Sequence, residues 1–94
     1  LERHGAVSAE CAAALAEGAA RVYGANVGVS TTGVAGPAEQ EGKPPGTIFV
    51  GACVEGRTEA RYVRGYGNRA NMRVIAVNSA LDLARRMILD SSGP

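Results

Sequence analysis

At 94 residues the chain can bury one modest core, and a second domain is not expected. With no Trp, one Phe and three Tyr, that core must be built from small aliphatic groups, and 13 glycines beside many alanines suit the close backbone approach such a core requires. Ten Lys and Arg against nine Asp and Glu give a net charge of +1, which argues against a broad field for nucleic acid or an anionic membrane and makes any anion site a local one.

No apolar run approaches the roughly 18 residues that span a bilayer, and no charged start followed by an apolar stretch marks a leader peptide. The expected setting is therefore soluble and cytoplasmic. The chain begins with Leu1 rather than Met, which reads as a piece of a longer protein unless processing removed a leader. Cys11 and Cys53 sit among apolar neighbours without a C-x-x-C or Cys/His metal spacing, so both read as buried small hydrophobes, and neither a metal nor a cofactor is expected.

In chain order, His4 precedes A-V-S and reads as a cap-side or surface histidine. Ser8 is a suitable N-cap, with Glu10 in the first turn; Cys11 stands where a capping box wants Glu or Gln, so the cap is half made. A helix is predicted over residues 9–23, with the apolar row Cys11, Leu15, Gly18 and Val22, and Gly18 is expected to allow close packing on a strand. Gly24 supplies the stop. A short strand follows over residues 27–32 and runs into T-T-G-V-A-G-P at residues 31–37, within a loop that ends at K-P-P-G, residues 43–46. Two readings of this loop stand. Gly33 and Gly36 let backbone N–H groups turn toward a ligand, and the place just beyond a strand end is where α/β proteins build sites; equally, it is a long connection. Thr32 is a candidate hydroxyl for a substrate contact, although a threonine at a strand end commonly bonds the backbone.

Residues 47–54 are apolar on both faces, as a central strand covered on two sides requires. Glu55 and Gly56 form a tight turn, and residues 58–64 return as a partly exposed edge strand. After the break at residues 65–67, Asn68 caps a helix that runs to about Leu89. Its apolar stripe is wide: Met72, Val74, Ile75, Val77, Leu81, Leu83 and Ile88. Arg85 and Arg86 suit the helix dipole; Arg69 and Arg73 oppose it, sitting in the first turns, four apart and on one face. They read either as solvated surface arginines or as an anion clamp working with the free N–H groups of the helix start. Residues 91–94 form a polar tail after a unit covering residues 1–90.

Taken together, H-G-A-V-S, the first helix, T-T-G-V-A-G-P, K-P-P-G-T and G-N-R-x-x-x-R resemble the CinA C-terminal domain family, the nicotinamide mononucleotide deamidases, from Glu2 to Leu89. The resemblance implies part of an amidohydrolase that converts nicotinamide mononucleotide to nicotinic acid mononucleotide with release of ammonia, in pyridine nucleotide recycling. Some family members are fused to a molybdopterin-binding-like domain and are linked by name to competence and damage induction. Two departures stand out. The family pattern begins earlier, with an A-E-S-C-T-G-G segment and a Tyr and Lys motif that carry the serine nucleophile and its activating lysine; this chain resembles only the second half of the domain. After Pro37, Ala38, Glu39, Gln40 and Glu41 stand where the family usually has Asp and two glycines, which adds negative charge.

Carried over by position, Thr32, Gly33, Ala35 and Gly36 match the family's substrate-side loop, and Arg69 and Arg73 match its basic pair, where a phosphate contact is implied. No catalytic residue is assigned in this chain: Ser8, Ser30 and Ser79 read as cap, strand and helix residues. The expected fold is α/β, with helices packed on a small mixed sheet in the order α-β-β-β-α, a β-hairpin in the middle, as an incomplete α/β/α layered domain. The expected partners are a small nucleotide substrate and either a second copy of the chain or the missing half, with no nucleic acid and no membrane. The fragment alone is expected to be inactive. The alternative is a non-catalytic nucleotide-binding or assembly module of a competence- or damage-inducible protein.

Overall fold

The computed structural model describes residues 7–33 and 42–91. His4, Ala35, Gly36, the acidic run at 39–41 and the end of the tail at 92–94 lie outside the described residues. The elements are α1 (Ala9–Val22), β1 (Val27–Gly33), β2 (Thr47–Val54), β3 (Arg57–Arg64) and α2 (Arg69–Ser91), the α-β-β-β-α succession read from the sequence.

Local chemistry fixes the ends of these elements. The Ser8 hydroxyl accepts the Cys11 N–H at 3.1 Å and starts α1. At its other end Gly24, with φ of +60°, turns the chain left-handed, so that the Gly24 N–H reaches the Arg21 carbonyl and the Ala25 N–H the Ala20 carbonyl. This double bond set closes the helix and takes up two carbonyls that would otherwise be orphaned. Asn68 and Asn71 cap α2 reciprocally: the Asn71 N–H donates to the Asn68 side chain at 2.8 Å, and the Asn68 N–H to the Asn71 side chain at 3.0 Å.

The sheet order is β1-β2-β3, and both pairings are antiparallel. A mixed sheet was the sequence expectation. Neither connection between strands carries a crossover helix among the described residues, and without one neighbouring strands run in opposite directions. β2 is central, as its two-sided apolar pattern predicts. Glu55 and Gly56 join it to β3 with φ of 50° and 86°, the left-handed pair that a two-residue hairpin with type I′ character needs.

One helix covers each face of the sheet. Ala76, Ala80, Leu83, Ala84 and Met87 of α2 pack on Ile48, Val50, Ala52 and Val54. On the opposite face α1 lays Ala12, Ala16 and Ala20 against the strands, while Leu15 and Val22 are exposed at 47% and 74%. The expected row Cys11, Leu15, Gly18, Val22 is thus corrected: only Cys11 of that row is buried. Gly18 is not the contact glycine either, for a Cβ there would meet only the tip of Arg21 at 4.0 Å. The close approach belongs to the strands, where a Cβ on Gly28 would run into the Ala16 carbonyl and one on Gly51 into the Ala12 carbonyl. Ser30 adds to this seam by donating its hydroxyl to the Ala12 carbonyl. The wide stripe expected on α2 is also divided: Val74, Val77, Leu81 and Ile88 face outward, and Ala76, Ala80 and Ala84 share the packing with Leu83 and Met87. Among the described residues, no helix is long and apolar enough to cross a membrane.

Candidate ligand site at the end of β1

The C-terminal end of β1 and the first turns of α2 enclose an open cleft of about 210 Å³. Thr31, Thr32 and Gly33 form one wall and Arg69 and Arg73 the other, with Ile48, Met72 and Ala76 as an apolar floor. The wall follows from register: Gly33 pairs with Ile48, which places the strand end beside the start of β2 and under α2. The opposite wall follows from helix geometry, since residues four apart share a face and the Asn68–Asn71 cap fixes where that face begins.

Four of the six residues singled out from the sequence therefore come together: Thr32, Gly33, Arg69 and Arg73. Ala35 and Gly36 lie outside the described residues. Sequence reasoning missed Thr31, Ile48, Met72 and Ala76. Thr31 adjoins Thr32 in the chain, but the floor residues read as ordinary core positions and only the strand register brings them to the cleft.

The electrostatics suit an anion. Both arginines are exposed, no acidic residue stands in the first turn of α2, and neither arginine joins an ion pair among the described residues. The cap occupies the Asn71 N–H, and the Met72 N–H closes onto the Asn68 carbonyl at 3.0 Å. The Arg69 and Ala70 N–H groups are left at the helix start, pointing outward with the positive end of the dipole. Two guanidiniums held beside that positive end raise the local potential, and an anion relieves it.

The cleft has a donor side and an apolar side, the division that a phosphorylated ligand with a flat ring calls for. Its volume falls below the roughly 300–1,000 Å³ of a complete small-molecule pocket. A larger depression of about 420 Å³ lies at the other end of the sheet, between the end of α1 and the β2–β3 turn. Glu17, Arg21 and Glu55 line it with charges of both signs and no convergent set of donors, so it is not the preferred site. The hydroxyls nearest to catalytic candidates are engaged elsewhere: Ser8 in the α1 cap and Ser30 on the Ala12 carbonyl.

Comparison with known proteins matches the same architecture. The family model of the CinA C-terminal domain covers residues 1–88. A CinA-like protein of Frankia casuarinae is 50% identical over 88 residues, which are 94% of this chain and 20% of that protein. A protein of Clostridium acetobutylicum named for competence-damage induction is 45% identical over 91 residues, 96% of this chain and 22% of its own length. Among solved structures, the competence damage-inducible protein A of Klebsiella pneumoniae superposes with a TM-score of 0.84 at 30% identity, over 94% of this chain and 56% of that one. A CinA superfamily protein of Escherichia coli gives 0.80 at 34% identity, over 87% and 48%. The chain thus spans about one fifth of the sequence relatives and about half of the solved chains. Five segments in family order, the layered fold and the family model agree: this chain belongs to the CinA C-terminal domain family.

Proposed function

We propose that this chain supplies the phosphate-binding wall of an amidohydrolase acting on nicotinamide mononucleotide. The observation that carries the reading is the meeting of Arg69 and Arg73 with Thr31, Thr32 and Gly33 in one cleft, from stretches far apart in the sequence. In this reading the arginines and the α2 N-terminus hold the phosphate, Thr31 and the strand-end backbone at Thr32 and Gly33 orient the sugar, and Ile48, Met72 and Ala76 offer an apolar surface to the ring. The reaction adds water across the carboxamide C–N bond: oxygen bonds to the carbonyl carbon, the C–N bond breaks, and nitrogen leaves as ammonia. That step needs an activated nucleophile and donors for the oxyanion. The described residues supply positioning and donors, so the nucleophile and its base come from the part of the site outside this chain, and the 94 residues alone release no ammonia.

The test is ammonia release from nicotinamide mononucleotide by the whole enzyme and by its Arg69→Ala variant. Loss of a ground-state phosphate contact is expected to raise KM roughly tenfold or more while kcat stays within about twofold. An unchanged KM removes Arg69 from the site. No ammonia from the whole protein, together with retained binding of the nucleotide, favours the second reading of a non-catalytic nucleotide-binding module.

A further inference from the structure

Polar contacts close both helix layers onto the β3 side of the sheet: the Thr58 hydroxyl donates to Glu17 of α1 at 2.8 Å, and Arg61 lies 3.6 Å from Asp82 of α2. The backbone edge of β3 stays open, since among the described residues β2 is the strand it pairs with. Which of its groups face outward follows from the hairpin. Val54 and Arg57 flank the two-residue turn and exchange both of their main-chain bonds, so Arg57, Glu59, Arg61 and Val63 bond inward to β2. Thr58, Ala60, Tyr62 and Arg64 therefore direct their N–H and C=O groups outward. Side chains alternate in the same rhythm: Arg57, Glu59, Arg61 and Val63 stand opposite Val54, Ala52, Val50 and Ile48, on the face that α2 covers. Along this row the charge runs plus, minus, plus, and then stops. Arg57 reaches the Met87 carbonyl and Arg61 reaches Asp82, whereas the Glu59 carboxylate is exposed and has no ion-pair partner among the described residues.

A charged edge ordinarily blocks strand pairing. This order of charges blocks all but one register for antiparallel pairing with a second copy, in which outward-facing residues must meet outward-facing residues. Centred on Glu59, such a pair sets Glu59 against Glu59 and Arg57 against Arg61; centred on Arg61, it sets Arg61 against itself. Centred on Thr58 or Tyr62, it overlaps only residues 57–59 or 60–64 of the strand. Centred on Ala60, it sets Glu59 of each copy opposite Arg61 of the other, faces Thr58 with Tyr62, and overlaps residues 57–63.

We propose that two copies of this chain pair antiparallel through β3, with the two-fold axis at Ala60, so that their sheets run into one. The ladder adds about six main-chain bonds, two from each facing pair of outward residues. Glu59 gains its ion-pair partner at a non-hydrogen-bonded position, where side chains approach most closely. Asp82 already holds Arg61, so that guanidinium is placed before the copies meet. At the axis the small Ala60 side chains face each other without a clash. The same patch serves both copies, as a closed two-fold dimer requires. None of the residues lining the Arg69 and Arg73 cleft belongs to β3, so the pairing is independent of the amidohydrolase reading.

Disulfide trapping tests it, in the whole protein that carries this chain. Ala60→Cys sets two thiols across the axis at a Cα separation of about 5.5 Å, within reach of a disulfide, while Cys11 and Cys53 are buried and give a low background. In a glutathione redox buffer, Ala60→Cys is expected to form an intermolecular disulfide at least roughly tenfold faster than Asn78→Cys, an exposed control on α2. Adding Glu59→Arg is expected to slow trapping at least roughly tenfold, and adding Arg61→Glu to that variant, which reverses the pair, to restore it. Equal trapping at Ala60→Cys and Asn78→Cys overturns the proposal. So does trapping that ignores Glu59→Arg, or that runs faster through Glu59→Cys or Arg61→Cys and so reports another register. If the reversed variant does not fold, hydrogen exchange of the unmodified protein decides: the outward N–H groups of Ala60 and Tyr62 are expected to be protected at high protein concentration, and fast exchange of both overturns the pairing.

Discussion

Gly28 and Gly51 set the distance between α1 and the sheet. Each places a hydrogen where any other residue places a carbon, and in both cases that carbon would collide with a helix carbonyl, of Ala16 or Ala12. Backbone cannot swing aside as a side-chain tip can, so the whole helix would have to lift from the seam where Ala16 and Ala20 meet Cys53. Gly51→Ala is therefore expected to lower unfolding free energy by about 3 kcal/mol or more in a urea titration, whereas Gly18→Ala, facing open space, is expected to be neutral or mildly stabilising. Equal effects at the two positions would remove the close-approach argument. The sequence signals an Ala- and Gly-built seam but not which glycine serves it. Helical spacing nominates Leu15, Gly18 and Val22 because they are larger or odd among alanines; the tight seam selects the smallest residues instead, Ala12, Ala16 and Ala20.

At the scale of the element, ends were more legible than faces. The Ser8 cap, the Gly24 stop and the Asn68 cap were all readable, because each depends on short-range bonds between residues close in sequence. The face of α2 was not, since an apolar row buried against the sheet and one left open look the same along the chain; only the sheet position separates Ala76, Ala80 and Met87 from Val77 and Leu81. The β2–β3 turn was legible in place but carries a local misfit. Glu55 holds a φ of 50°, which disfavours a residue with a long side chain and suits Asn in the first place of such a turn. Its N–H donates to the Asn26 carbonyl at 2.8 Å, a backbone bond that substitution keeps. Glu55→Asn is expected to raise the urea midpoint by the equivalent of about 0.5–1 kcal/mol. A lowered midpoint would mean that the glutamate side chain supports the turn in another way.

Across the whole molecule, Asp82 links the last helix to the sheet on the closed β3 side. It accepts from Arg85 at 3.3 Å and Arg86 at 2.9 Å and stands near Arg61 of β3, while the Arg57 side chain donates to the Met87 carbonyl nearby. The hydrogen bond from Arg85, aided by Arg86, holds the Asp82 carboxyl below its ordinary 3.8, against a smaller opposing effect of burial. A carboxyl with a depressed folded pKa binds fewer protons when folded than when unfolded, so its contribution is present above the unfolded value and is lost as pH falls through the folded one. The cluster is exposed and screened, so the effect is small. It is nonetheless separable, because the other carboxylates are common to both proteins. Urea midpoints measured for the chain and for Asp82→Asn are expected to run parallel above about pH 5.5 and to converge as pH falls below about 4. Curves that stay parallel throughout would show that Asp82 has no net preference for the charged form in the fold. Raising the salt concentration provides a second check, narrowing the gap at neutral pH if the linkage is ionic.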